Sequence, residues 1–300
     1  MSIYVSNSVY LGDSALTLRK NRPLIGYHSV FRPGDVSAIN MDFLSTPGNP
    51  SGVSQIWSPD TYTGINAQHD NTTSGPPSVI FSTPDGATSN YVGIVGHNLG
   101  TIGASFALQK AVTDDSGTIG WSNVFDPIFP VGDSPIFVHY DDFFSTACRI
   151  RIWTDDANQI TPIKIKHVKI GEVLKLEEPM FIGMKPYGRD SESEGFNMTA
   201  DNGNFLGQII TRRNRTWQII QRNNSPNFIR QKIYPFIDHL NGFGNGSFNG
   251  PKSTFFGGWR PDAFPNEVIY GWKPLSQDAY PSVETPMGLM NWTASGKAIA

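Results

Sequence analysis

The feature that most constrains the fold is the short apolar run Tyr91-Val92-Gly93-Ile94-Val95, which ends abruptly at Gly96-His97-Asn98-Leu99. An apolar run bounded by turn-forming residues indicates a buried β-strand. Asn tolerates the left-handed backbone region and bonds nearby backbone groups, so we predict a tight turn directly after the strand. His97 and Asn98 could also form a ligand-binding pair, but we favour their interpretation as fold-defining turn residues.

Composition favours strands over helices in the rest of the chain. Charged residues make up 16% of the 300 residues and aromatic residues 12%, and there are 30 Gly and 22 Pro. Aromatic residues suit a pleated, half-buried surface, whereas Gly and Pro punctuate connections between short strands. The net charge of −3 gives no global attraction to nucleic acid or to an anionic membrane. We predict an all-β protein with no nucleic-acid partner and no membrane insertion.

Alternation of apolar and polar residues marks several strands. Segments 104–110 and 149–154 alternate with the period of two that is typical of a half-buried strand. In segment 163–171 the apolar positions shift by one residue near His167, which predicts a β-bulge there. Short strands separated by turns in this way predict a sandwich or jelly roll.

A domain boundary is predicted at 177–188, where Pro, Gly and charged residues replace the alternation. The resulting division has four parts: an N-terminal arm (1–34), a β-sandwich (35–178), a second β-rich domain (179–272) and an extended C-terminal tail (273–300).

The second domain is predicted to contain strands and at most one short helix. Segments 205–213 and 215–222 look like a strand pair joined through Asn214. Segment 227–234 has the apolar spacing of a short amphipathic helix, and we expect it to end before Pro235.

The sequence offers no catalytic constellation. The acidic doublets 114–115, 141–142 and 155–156 occur where turns are expected, and neighbours in a strand point to opposite faces, so none makes the paired carboxylates of a glycosidase. The six histidines lack metal-ligand spacing, and no nucleophile elbow or phosphate loop is present. Cys148, the sole cysteine, is expected to be a buried thiol. We predict no enzyme, no catalytic residue, no cofactor and no metal.

The second domain carries a basic stretch, because no acid occurs between Asp201 and Asp238. Such a face either pairs with an acidic neighbouring subunit or is solvated, and we favour an interface role. Abundant Phe and Trp with sparse charge also predict apolar surface that is covered by assembly. The candidate interface residues are Arg212, Arg213, Arg215, Arg222, Phe255, Phe256 and Trp259.

The first half of the chain resembles the galactose-binding-like (discoidin-type) β-sandwich over roughly residues 40–178. The similarity rests on the order of Trp57 with Pro59, the run from Tyr91 to Thr101, a turn before Trp121, and the strands 149–152 and 165–171. The local sequence around His97-Asn98-Leu99-Gly100 is similar to that of virion proteins of tailed bacteriophages. No ligand-binding residue can be carried over from relatives that bind sugar or lipid.

The second half looks like the β-rich modules of phage distal-tail and tail-tip proteins, on the spacing of segments 193–195, 207–213 and 255–259. The resemblance implies a virion component of the tail tip or baseplate that forms a symmetric ring with itself and with other tail proteins. No signal peptide is evident at the N-terminus, so we expect synthesis in the host cytoplasm and residence in the virion. The alternatives are a carbohydrate-binding module that adsorbs to a host-surface glycan, and a capsid decoration or collar protein.

Overall fold

A computed structural model describes much of the chain. The described residues are 3–5, 9–12, 23–31, 36–44, 52–57, 63–70, 75–113, 117, 119–154, 161–178, 190–241, 254–258, 268–273, 282–283 and 290–299. Strands dominate these residues, accompanied by one short 3-10 helix and one irregular helix, so the predicted all-β class is confirmed.

The strands and helices follow one another in chain order. The first part contains β1 (Ile3–Val5), β2 (Val9–Gly12), β3 (Leu24–Gly26), β4 (Val36–Ile39), β5 (Met41–Phe43), a 3-10 helix (Val53–Trp57), β6 (Ile65–His69), β7 (Ser78–Val95), β8 (Ser105–Thr113), β9 (Ile119–Asn123), β10 (Ile136–Trp153), β11 (Ile163–Ile165), β12 (His167–Gly171) and β13 (Leu174–Lys175). The second part contains β14 (Asp190–Thr199), β15 (Phe205–Asn224), helix α1 (Pro226–Phe228, Ile229–Ile233 and Tyr234–Leu240), β16 (Thr254–Gly258), β17 (Val268–Trp272), β18 (Ser282–Val283) and β19 (Met290–Ile299).

Two sheets of unequal size enclose the first core. The large sheet is built around the long antiparallel strands β7 and β10, which β2, β4, β8 and β12 flank, with β1 and β9 at its edges. The small sheet has the order β11-β6-β5. Apolar residues from both sheets, including Val79, Phe81, Ile150, Ile163 and Ile165, form one buried cluster between them. This arrangement is a β-sandwich, as the alternation predicts.

The predicted bulge near His167 is instead a change of sheet. Ile163–Ile165 pairs with β6 in the small sheet, whereas His167–Gly171 pairs with β7 in the large sheet. Ile165 and Val168 both point into the core between the two sheets. A strand that crosses from one sheet to the facing one must change which alternate residues face inward, and this produces the one-residue shift in the sequence.

The apolar run from Tyr91 to Val95 is buried on both faces. Val92 and Ile94 face the sandwich core, whereas Tyr91 and Val95 belong to a separate buried cluster with residues of a second sheet. At Gly93 a Cβ would collide with the ring of Phe256, so the absence of a side chain lets the two layers approach closely. Burial on both faces explains why this part of the strand is continuously apolar.

The second sheet draws its strands from remote parts of the chain. Its order is β13-β3-β16-β17-β19-β15-β14, with β18 beside β19. Leu24–Gly26 pairs with β16, and Met290–Ile299 lies between β15 and β17. The structure therefore differs from the predicted N-terminal arm and C-terminal tail, because residues of both segments supply interior strands.

Strand β15 is continuous through Asn214, so the predicted pair of strands joined at that residue is wrong. Its first part pairs with β14 and its last part with β19. In the register of β14 and β15, Arg212 lies opposite Glu194 and Arg215 opposite Ser191. The basic stretch therefore lies beside a strand that carries acids of the same chain.

Helix α1 begins and continues differently from the prediction. The Ser225 side chain accepts the N–H of Phe228, which caps the helix at its N-terminus. The helix then passes through Pro235 and ends at Leu240, rather than ending before the proline. A π-helical turn over Ile229–Ile233 ends two residues before Pro235. Widening of the helix accommodates a residue that lacks an N–H donor. No helix among the described residues is long and apolar enough to cross a membrane.

A buried lysine joins the sandwich to the second sheet. Lys169 of β12 is 1% exposed, and its Nζ donates to the carbonyl oxygens of Tyr27 and Thr254. Burial lowers the pKa of Lys169 well below its usual value. Backbone carbonyls on the other side of the junction therefore take the place of water for this amine.

Candidate functional site

The His97-Asn98 pair is engaged in holding the sandwich end together. The Asn98 Nδ2 group donates to the carbonyl of Pro162 at 2.8 Å, and its Oδ1 accepts the N–H of Lys164 at 2.8 Å. His97 is buried, its Nε2 donates to the carbonyl of Ser134 at 2.8 Å, and its Nδ1 accepts the N–H of Leu99. Burial lowers the pKa of His97, against the opposing effects of the Ser134 carbonyl and Asp133. These bonds use the polar atoms that a ligand would need.

The candidate interface residues occupy different environments. Phe255 and Phe256 are fully buried within the chain, in two separate apolar clusters, so they are not surface residues. Arg215 and Arg222 are exposed. The side chains of Arg212 and Arg213 and the whole of Trp259 lie outside the described residues, and their interface role stays a prediction.

The large sheet has a face that points away from the sandwich core, and the second sheet packs on the part of it that carries Tyr91, Val95 and Phe137. On β10, Cys148, Ile150 and Ile152 enter the core, so Arg149 and Arg151 lie on the opposite side. We call the cluster on this side the open face; it comprises Gln109, Trp121, Asn123, Arg149, Arg151 and Trp153, of which Asn123 is exposed, Gln109 is buried and the other four are half-buried. These residues come from three neighbouring strands, β8, β9 and β10.

A chain of hydrogen bonds fixes the polar groups of the open face. Arg149 Nε donates to Gln109 Oε1 at 2.6 Å, and Gln109 Nε2 donates to Asn123 Oδ1 at 2.6 Å. The register explains these bonds, because Gln109 lies opposite both Arg149 and Asn123. The guanidinium carbon of Arg149 also lies 4.5 Å from the centre of the Trp121 ring. Amide, guanidinium and indole groups are thus held in place before any ligand arrives.

A second guanidinium and a second indole extend the open face along β10. The Arg151 guanidinium lies 4.9 Å from the centre of the Trp153 ring. Both side chains are half-buried, as are Trp121 and Arg149. Burial and, second, the charge of Arg151 lower the pKa of Arg149. Two cationic groups therefore lie side by side, each stacked on an aromatic ring.

The sequence predicts part of this site, although not that it is a site. The alternation of 149–154 predicts that Arg149, Arg151 and Trp153 lie on one face of a strand. The sequence does not predict that Gln109 and Trp121 join them, because that depends on which strands are neighbours and in what register they pair.

A polar cleft of about 430 Å³ lies where helix α1 approaches the sandwich. Burial and, second, Glu172 raise the pKa of Tyr27 to about 12, and burial and, second, Lys169 lower the pKa of His28 to about 4. Asn90 positions one wall, because its Nδ2 donates to Asp142 and its Oδ1 accepts the N–H of Val173. The cleft is lined by Tyr27, His28, Asp142, Glu172, Val173, Leu174, Lys175, Gln231, Lys232 and Pro235. The charges of its two carboxylates and two lysines balance, so the cleft favours neither an anionic nor a cationic ligand.

Other candidate chemistry is not assembled in the described part of the chain. The doublet Asp141-Asp142 lies within β10 rather than in the predicted turn, at an irregularity in its pairing with β7. The other two doublets lie outside the described residues. Cys148 is buried, and burial raises the pKa of its thiol well above the usual value, as expected for an inert thiol. The described His, Cys, Asp and Glu residues contain no group of three that could hold a metal ion.

Comparison with known proteins gives similarity of fold alone. No protein-family model and no curated protein matches the sequence. Among solved structures, the module CpGH89CBM32-5 from Clostridium perfringens, in complex with GalNAc-beta-1,3-galactose, is 12% identical with a TM-score of 0.36, over 48% of this chain and 100% of that one. Chitosan-binding module 1 from Paenibacillus sp. IK-5 gives 12% identity and a TM-score of 0.36, over 48% of this chain and 99% of that one.

Two further solved structures are also similar. The family 32 carbohydrate-binding module of Streptococcus pneumoniae EndoD is 14% identical with a TM-score of 0.34, over 48% of this chain and 99% of that one. In a longer chain assigned as an alpha-L-fucosidase, from Bacteroides thetaiotaomicron, the match covers 46% of this chain and 27% of that one. These modules are similar to this chain over about half of its length, and the ligands named for them are properties of those modules.

Proposed function

We propose that this protein acts by non-catalytic binding of carbohydrate, through the open face of its large sheet. The observation that carries the proposal is the fixed network of Asn123, Gln109 and Arg149 beside Trp121. Sugars present hydroxyl groups that both donate and accept hydrogen bonds, together with flat apolar C–H faces. Amides, guanidinium groups and half-exposed indoles match both properties.

Preorganisation strengthens this proposal. Ordering a long polar side chain on binding costs about 0.5–1.5 kcal/mol, and this cost falls when the side chain is already held in place. Gln109 is only 5% exposed and is bonded on both sides, so it holds Arg149 and Asn123 in place instead of contacting a ligand itself, and the indole of Trp121 already contacts Arg149. The open face therefore presents a fixed arrangement of polar and aromatic groups to a ligand.

The experiment is a glycan array probed with the full chain and with the variant Trp121→Ala. We expect binding to at least one class of glycan. The variant should bind roughly tenfold or more weakly, because truncation of a well-packed aromatic side chain at a binding hot spot typically costs more than about 1.4 kcal/mol of binding free energy. Phe144→Ala is the matched control, since it removes an aromatic side chain that is 66% exposed and belongs to neither the open face nor the β14-β15 hairpin. Binding that is equal in all three proteins, or absent, would refute the proposal.

A second candidate is a structural virion component that assembles through protein contacts, as the sequence resemblance implies. The β14-β15 hairpin favours it, because one end of this edge of the second sheet exposes several large apolar side chains. Phe196 lies opposite Ile209 in the register, and Met198 lies over Gly207. The exposed apolar residues are Phe196, Met198, Phe205, Leu206 and Ile209. Clustered apolar side chains on a surface mark interaction sites.

Light scattering of the full chain tests this second candidate. Assembly through the hairpin predicts an oligomer that the double variant Phe196→Ser/Phe205→Ser converts to a monomer, while Trp121→Ala leaves it intact. A monomer at high concentration in the unsubstituted protein would count against assembly by the chain alone. The two candidates are compatible, because a virion protein that adsorbs to a host-surface glycan would use both surfaces.

A further inference from the structure

We infer that the open face is specific for acidic carbohydrate, and that Arg149 and Arg151 bind the carboxylate groups of uronic-acid residues. This inference rests on the proposed function, since it names the class of glycan for the same site. It is carried by the arrangement of the two guanidinium groups, by the charge around them and by the amides beside them.

The two arginines form a fixed cationic pair. They are two residues apart on β10 and share one face of the sheet, which places their Cα atoms about 7 Å apart. Each guanidinium is held against an indole, at 4.5 Å for Arg149 with Trp121 and at 4.9 Å for Arg151 with Trp153. This stacking keeps both groups at the surface of the sheet instead of extended into solvent.

Within the described part of the chain, no carboxylate compensates this pair. The hydrogen bond from Arg149 goes to the neutral amide of Gln109, and the charge that acts on its pKa is that of Arg151. The Nε atom of Arg151 is buried and has no hydrogen-bond partner among the described residues. An anionic oxygen beside the two guanidinium groups would relieve the repulsion between the cations.

The shape of the site favours a carboxylate on a sugar ring. A guanidinium and a carboxylate are both planar and form two parallel hydrogen bonds. The side chain of Asn123 is exposed on β9, one strand beyond Gln109 from Arg149, and can bond ring hydroxyl groups, while the indoles offer apolar surface to the C–H faces of the sugar. A neutral glycan would use the amides and indoles but leave the paired cations without a partner.

The test compares two polymers that share a backbone and differ in charge: polygalacturonate and its fully methyl-esterified form. Binding of the full chain to each is measured by titration calorimetry at a fixed ionic strength. We expect polygalacturonate to bind roughly tenfold to a hundredfold tighter, because a hydrogen bond to a charged group typically changes affinity by about that factor. Arg149→Gln and Arg151→Gln should each reduce that preference about tenfold or more. Arg230→Gln, an exposed arginine on helix α1, is the matched control and should leave it unchanged.

The remaining outcomes separate failure of this inference from failure of the proposed function. Equal affinity for the two polymers would overturn acidic specificity and leave carbohydrate binding intact. Binding of neither polymer, and of no glycan on the array, would overturn both. Polyglutamate or dextran sulfate that binds as tightly as polygalacturonate, with the same sensitivity to Arg149→Gln, would show a general anion site and overturn the inference.

Discussion

The side of the large sheet that faces away from the sandwich core has two halves, one covered by the second sheet and one open. Strands β7 and β10 run through both halves. Where the second sheet covers them, this side presents Tyr91, Gly93 and Phe137, packed on Phe256 and its neighbours. Where it is open, the same side presents Arg149 and Arg151. One continuous strand therefore contributes to an apolar junction at one end and to a cationic, aromatic surface at the other.

The two halves are expected to respond differently to substitution. Side chains in the covered half contribute to the free energy of unfolding, because their removal leaves a cavity. Side chains in the open half can change without a cavity, since solvent fills their place. If the assignment of the two halves is correct, stability and ligand binding should depend on separate sets of residues.

The largest expected effect is on the covered half. Phe256 is fully buried, and its ring centre lies 5.1 Å from that of Tyr270 and 6.5 Å from that of Phe137. Phe256→Ala should lower the free energy of unfolding by about 3–5 kcal/mol, as measured by urea denaturation. Phe144→Ala, at a side chain that is 66% exposed, is the control and should change it little. A loss below about 1 kcal/mol for Phe256→Ala would mean that the two sheets do not pack as described.

A smaller effect is expected from acid, and it too acts at the junction. The pKa of His28 falls from 6.5 to about 4 in the folded protein, because burial and, second, Lys169 disfavour its charged form. As the pH drops below 6.5, the unfolded chain therefore binds a proton before the folded chain does. The contribution of His28 to the free energy of unfolding is fully present above pH 6.5. It is lost progressively as the pH falls toward 4, by up to about 3 kcal/mol.

Urea denaturation between pH 7 and pH 4 measures this loss. The variant His28→Gln cannot titrate, so its stability should decline less steeply with acid than that of the unsubstituted protein. Parallel profiles for the two proteins would show that His28 is not buried as neutral imidazole at the junction.

The smallest effect on stability is expected in the open half. Trp121→Ala and Arg149→Ala should each change the free energy of unfolding by about 0.5–1 kcal/mol, because half-exposed side chains leave no closed cavity. The same two variants should have the largest effect on glycan binding. A thermal melt of each variant, run beside the binding assay, distinguishes a binding residue from a structural one. Large destabilisation by either variant would remove the contrast between the two halves.

Local patterns predicted many strands correctly and failed where distant segments decide the outcome. The alternation at 149–154 and the apolar run from Tyr91 to Val95 both correspond to strands. The shift near His167 was detected, but its cause was a change of sheet that no local pattern distinguishes from a bulge. Pro235 was expected to end a helix, yet the tertiary structure retains the helix through a π-helical turn, with Phe236 and Leu240 buried beyond it.

The sequence by itself determined that this chain forms β-strands, which alternate residues share a face, and that Cys148 is buried. Alternation specifies the two faces of a strand but does not say what covers each of them. The cover over Tyr91 and Gly93 comes from strands at 24–26, 254–258 and 268–272, which are remote in sequence and meet only in the folded chain. The tertiary structure thus decided that Phe256 is buried and that Arg149 faces solvent, because burial depends on which surfaces pack together.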